Sequence, residues 1–163
     1  MQRLPSGRND ILPSFQAMTR KLGVLIFPGF QILDAAGPIA AFEIAARYVP
    51  GAYDLRVMAL EPGPVASSSH ALMMARPLDA EPLDTLVVAG GDGTRPAALC
   101  QRTTAWVAQA SARARRTASV CSGAFILAQA GLIADPTILT IIEDDIFADF
   151  EPSLSPRLAI LDG

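Results

Sequence analysis

Thr117-Ala118-Ser119-Val120-Cys121-Ser122-Gly123-Ala124-Phe125-Ile126-Leu127 is the stretch on which the reading of this chain turns. A short strand-like run ends at Cys121, small residues follow at once, and an apolar helical pattern begins. That order is the sequence form of a nucleophile elbow, a turn so tight that only small residues fit beside the nucleophile. Cys121 then projects over the first turn of a helix, where unpaired N–H groups and a partial positive charge favour thiolate over thiol. The bland alternative is a small buried cysteine with a packing role.

Bulk composition bounds what such a motif can belong to. A chain of 163 residues is one domain by length. A hydrophobic share of 51% against 18% charged supports a real core and argues against disorder. A net charge of −3 gives no expectation of direct nucleic-acid binding. Cys100 and Cys121 are too few for a disulfide framework, which points to a reducing cytoplasm. No apolar run approaches the ~20 residues that span a bilayer, so no membrane partner is expected. Pro5, Gly7, Arg8, Asn9 and Asp10 interrupt any secretory h-region. Residues 1–20 read as a loose extension, with Met18 an alternative start, and residues 21–163 as the domain.

Working outward from Cys121, the same layout recurs. Leu22-Gly23-Val24-Leu25-Ile26-Phe27 is a near-continuous apolar run, as expected for a strand buried on both faces. Pro28-Gly29-Phe30 breaks it. Pro38 fits a first helical position, and Ile39, Phe42 and Ala46 carry the apolar face beyond it. Asp34 is expected just ahead of that helix, at the carboxyl edge of the sheet, either as a ligand-facing carboxylate or as an exposed loop or capping residue. Tyr53 to Leu60 reads as a strand and Val65 to Arg76 as a hairpin, with His70 at its exposed tip.

Asp84 to Ala89 is the next buried strand, and Gly90-Gly91-Asp92-Gly93-Thr94 follows directly. Such a turn lets backbone N–H groups approach a ligand. It resembles the nucleotide-binding turn of NAD and lipid kinases. It also suits one wall of an oxyanion hole facing Cys121, and the elbow favours that second reading. Thr103 to Arg116 is expected to be helical, with Arg113, Arg115 and Arg116 at its C-terminal end. The Cys121 helix is expected to stop at Gly131. Strands alternating with helices predict an α/β fold with a mostly parallel sheet and helices on both faces. Asp34, Gly90, Gly91 and Cys121 then share one edge. No metal-ligand cluster or cofactor fingerprint accompanies them.

These motifs together resemble the ThiJ/PfpI superfamily. The resemblance is carried by Leu25-Ile26-Phe27-Pro28-Gly29-Phe30, Leu33-Asp34, Gly37-Pro38, Leu86-Val87-Val88, Gly90-Gly91, the run from Ala118 to Phe125, and Ala130-Gly131-Leu132. With Ala112-Arg113-Ala114-Arg115-Arg116 it is most similar to the sensory domain of GlxA-type, AraC-family transcriptional regulators. It is also similar to isocyanide hydratases. The resemblance implies a flavodoxin-like fold, often dimeric. By the hydratase pattern it implies Cys121 as nucleophile assisted by Asp34 and Ser122, serine standing where the family has threonine. Ligand contacts are expected from Gly90, Gly91, Asp92 and Gly123.

Two departures are visible. Ile141 occupies the family's histidine position, so a Cys–His dyad cannot form there, and a thiol without a base is a weak nucleophile. The chain also ends before the family's last strand and helix and before the regulators' helix-turn-helix. Three classes follow: a ligand-sensing domain of regulator lineage, a cysteine-dependent hydratase or hydrolase, and a non-functional remnant. The departures shift weight from the second to the first and third, with the first favoured, and Asp34, Gly91, Cys121 and Ser122 keep the second open.

Overall fold

The structure, a computed structural model, describes residues 19–133. Residues 1–18, Ile141 and residues 149–163 lie outside the described residues, while Arg20, read as the end of the extension, opens the first strand. Among the described residues six strands form one sheet: β1 (Arg20–Leu25), β2 (Tyr53–Ala59), β3 (Gly63–Ala66), β4 (Leu72–Pro77), β5 (Thr85–Val88) and β6 (Arg116–Ser119). Their order is β3-β4-β2-β1-β5-β6. All neighbouring pairs are parallel except the β3–β4 hairpin. His70 sits at the exposed tip of that hairpin with φ +64°, as its turn composition implied.

The continuous apolar runs became the middle of the sheet. All four residues of β5 are buried, as are the last four of β1. Strand β6 alternates between exposed and half-buried and forms the edge of the described sheet. Helix α1 (Ile32–Tyr48) connects β1 to β2 on one side of β1. Helices α2 (Thr94–Leu99) and α3 (Gln101–Arg113) connect β5 to β6 on the other. Right-handed crossovers in opposite directions place α1 and α3 on opposite faces of the sheet. The chain reverses its winding between β1 and β5, and ligands of open α/β sheets bind outside the carboxyl ends of strands at that kind of point.

Two helix boundaries differ from expectation. Helix α1 begins at Ile32, so Pro38 lies inside it, not at its first position. Proline in the second turn removes one bond, the donor that Asp34 C=O would otherwise meet, and the helix continues past it to Tyr48. Gln31 accepts from the Ile32 N–H through its side chain and starts the helix early. Asp34 is therefore on the helix and not ahead of it. The second difference lies between β5 and β6. A short helix α2 precedes α3, and α3 ends at Arg113 because Ala114 is extended. Arg115 and Arg116 are thus not a helix end. Arg115 forms a bidentate pair with Asp84 at 2.7 and 2.8 Å, and Arg116 opens β6.

After β6 comes a single 3-10 turn, Cys121–Gly123, and then helix α4 (Ala124–Gln129). Gly131, at φ +77°, ends that run as expected. Among the described residues no helix is long and apolar enough to cross a membrane.

Candidate functional site

Three loops meet at the carboxyl edge: residues 28–31 after β1, residues 89–93 after β5, and residues 120–123 after β6. They are joined by backbone bonds. The Gln31 N–H donates to Gly90 O at 2.8 Å, Gly93 N–H to Gly29 O at 3.0 Å, and Val120 N–H to Val88 O at 2.9 Å. Glycine makes such close approach possible. A Cβ on Gly90 would lie 2.7 Å from Ser122 N and 2.8 Å from both Asp34 Oδ2 and Ser122 Oγ. A Cβ on Gly123 would lie 2.5 Å from Val88 O. Real side chains do not reach such distances, so these loops can only meet where the side chain is hydrogen.

Cys121 is exposed and adopts φ +53°, the left-handed region that a non-glycine residue rarely occupies. Strain of this kind persists only where surrounding structure enforces it, and it concentrates at functional sites. Here the enforcement comes from Gly123, wedged against β5, and from the Val120–Val88 bond on the other side.

Asp34 is buried, not exposed, and its Oδ2 accepts the Gly90 N–H at 3.0 Å. Burial pushes its carboxyl above the ordinary range, and the Gly90 bond opposes that shift in part. The folded state therefore holds this proton more tightly than the unfolded chain. Stability from this group is present at low pH and declines as pH rises from the unfolded value toward the raised folded value. Asp34→Asn, which keeps an acceptor for Gly90, is expected to remove that decline and to be more stable than the wild type at pH 7. Urea midpoints at pH 4 and pH 7 check this. A wild-type advantage that grows with pH would contradict it.

Ser122 is half-buried and faces the glycine turn. Its Oγ accepts from the Gly91 N–H at 3.0 Å and lies 2.9 Å from Thr94 Oγ1. Thr94 is 2% exposed and donates to Gly91 O at 2.7 Å. The N–H groups of Gly90 and Gly91, expected to form an oxyanion wall, are thus both occupied by side chains of the site itself. Asp92 is exposed and its carboxylate makes no hydrogen bond among the described residues. Gly123 acts through close packing. The structure brings Asp34, Gly90, Gly91, Cys121 and Ser122 together and leaves Asp92 outside.

Thr94 is the residue that the motif reading missed. It ends the quoted Gly90-Gly91-Asp92-Gly93-Thr94 turn. A threonine at the start of a helix after a glycine turn was the available signal. Which group its hydroxyl would meet depends on a loop 28 residues away.

The chain is 40% identical over 114 residues to an uncharacterized protein of Streptomyces lividans, covering 68% of this chain and 79% of that one. It is 31% identical over 120 residues to isonitrile hydratase of Pseudomonas putida, covering 71% of this chain and 50% of the hydratase. An AraC family transcriptional regulator of Pseudomonas putida superposes with TM-score 0.62 at 20% identity, over 71% of this chain and 63% of that structure. The last is a likeness of fold. This chain spans half the length of the hydratase it matches and under two thirds of the regulator structure. The DJ-1/PfpI family matches residues 20–145. With that match covering most of the chain, and with the parallel sheet and its three converging loops beneath it, the chain belongs to the DJ-1/PfpI family.

Proposed function

We propose that this chain is the ligand-sensing domain of an AraC-type regulator lineage, binding a small molecule at a nucleophile elbow formed by Cys121. The observation that carries this reading is the occupancy of the glycine turn. Gly90 N–H is held by Asp34 and Gly91 N–H by Ser122. An enzyme that stabilises a developing oxyanion keeps such donors free and aimed at it. Here one of two formed bonds would have to break before either could serve, which suits binding better than turnover. The arginine run leading into β6 and the fold likeness to the regulator support the lineage. The reading places the protein in the cytoplasm, where its two free cysteines stay reduced. It also takes the chain as a homodimer. Exposed Leu33, Ile44 and Tyr48 on α1 supply apolar surface for that contact.

A second reading has its own support. Cys121 is exposed in a strained turn, and Asp34 retains a proton more firmly than an ordinary carboxyl. In a hydratase of the isonitrile type, Cys121 would attack the substrate carbon and Asp34 would shuttle the proton, with water completing the N-substituted formamide.

Incubation with an alkyl isocyanide separates the two. The sensing reading expects no more than one equivalent of product or adduct per chain by chromatography and intact mass. Multiple-turnover formamide production, abolished in Cys121→Ser, would overturn it.

A further inference from the structure

The hydroxyl groups beside Cys121 have a defined proton order. A carbonyl only accepts, so at 2.7 Å Thr94 donates to Gly91 O. Each hydroxyl has one proton. With that of Thr94 engaged, the 2.9 Å contact between Thr94 and Ser122 is donated by Ser122. The Gly91 N–H completes the ring by donating to Ser122 Oγ at 3.0 Å. The competing arrangement, Ser122 donating to Gly91 O, spans 3.4 Å and is the weaker geometry. The ring begins and ends on Gly91, and its inner member, Thr94, is buried.

We infer that Thr94 is a positioning residue that turns the Ser122 proton inward, so that Ser122 meets the ligand of the Cys121 site as an acceptor and selects N–H-bearing groups, such as a primary carboxamide, over carboxylates. This rests on the reading of Cys121 as the centre of a small-molecule site. Ser122 has one lone pair left after the ring is formed. A carboxamide N–H can use it, whereas a carboxylate oxygen meets it with repulsion. The Asp34 carboxyl nearby adds to the same preference when ionised.

The test uses two alkylating probes with the same leaving group, iodoacetamide and iodoacetate. In each, the Cys121 sulfur displaces iodide: one S–C bond forms and one C–I bond breaks. Second-order rates are measured by intact mass in a Cys100→Ser background. The readout is the amide-to-carboxylate rate ratio, with N-acetylcysteine as the reference thiol. The intact site is expected to exceed the reference ratio. Ser122→Ala is expected to lower it about fivefold, the loss of one hydrogen bond. Thr94→Val removes the inward acceptor and leaves Ser122 only the poorer 3.4 Å geometry to Gly91 O, so its proton turns to the carboxylate and the ratio is expected to fall below that of Ser122→Ala. Thr94→Ser is expected to retain the original ratio. A site merely loosened by Thr94→Val would resemble Ser122→Ala or lie above it, and that result overturns the inference. So does a Cys121 that neither probe alkylates. Should Thr94→Val fail to fold, Thr94→Ala is judged by the same criterion. Isocyanide turnover would overturn the sensing role without moving this ratio, so the two failures are distinguishable.

Discussion

Gly91→Ala is expected to leave the protein unable to hold its native fold. Gly91 has φ +130°, a conformation that L side chains rarely adopt. Its added Cβ would run into Gln31 N, Gly29 O and Phe30 C, and every one of these is backbone. A flexible side chain can swing aside, whereas a loop stitched on both sides cannot. That loop is tied to the hairpin by Ser68 N–H on Phe30 O at 2.8 Å and Gly29 N–H on Ala66 O at 2.8 Å. Strained backbone costs about 1–3 kcal/mol and an overpacked contact about 1–3 kcal/mol more. The sum is a large part of the roughly 5–15 kcal/mol by which a domain is stable. Expression in the soluble fraction and a cooperative thermal transition check the outcome. A well-folded Gly91→Ala with a near-native midpoint would mean that the contact between residues 28–31 and the glycine turn is looser than described.

Phe30→Ala is expected to be the next most damaging change. Phe30 is fully buried and heads the large side chains of the core. It also bridges Ser67 on one side and Gly91 on the other. Truncating a buried phenylalanine costs about 3–5 kcal/mol, partly through lost transfer energy and partly through the cavity left behind. The position makes the effect more than a loss of stability. Phe30 precedes Gln31, which holds Gly90 O and begins helix α1, and so it fixes where Asp34 sits. Urea denaturation should show the midpoint falling at an unchanged m-value. Alkylation of Cys121 in native buffer should change as well. Leu72→Ala is the matched control, because Leu72 is 69% exposed and a surface truncation usually stays within about 0.5 kcal/mol. Equal losses in the two variants would remove Phe30 from its role as the shared plug of core and site.

Much of the architecture was legible in the residues. Val24, Leu25, Leu86, Val87 and Val88 read as strands because apolar runs without alternation have no solvent face. All five are buried in the sheet centre. The hairpin and its exposed His70 followed from turn composition, and Gly131 ended the last described helix. Helix boundaries were less legible. Pro38 is compatible with a first position and with the second turn of a helix. The choice between them was made by Gln31, whose carbonyl accepts the Asp34 N–H at 3.1 Å and whose own N–H is held by Gly90. The arginine run looks like a helix end in sequence because local charge cannot report that Asp84, 31 residues earlier, pairs with Arg115.

The sequence by itself therefore determined the order of the strands and of the longer helices, the placement of Asp34, Gly90, Gly91 and Cys121 at one edge, and membership of a recognisable group of folds. Periodicity, glycine and proline carry that information locally, within a few residues of where they act. Only the tertiary structure decided what each polar group at that edge meets. Asp34 is buried against Gly90, Ser122 points into Thr94, and the turn that looked like a free oxyanion wall is already bonded. These pairings join residues 28 to 56 positions apart. They depend on parallel strands brought into register by crossover helices, and a parallel register is set by packing over the whole sheet, not by any short stretch within it.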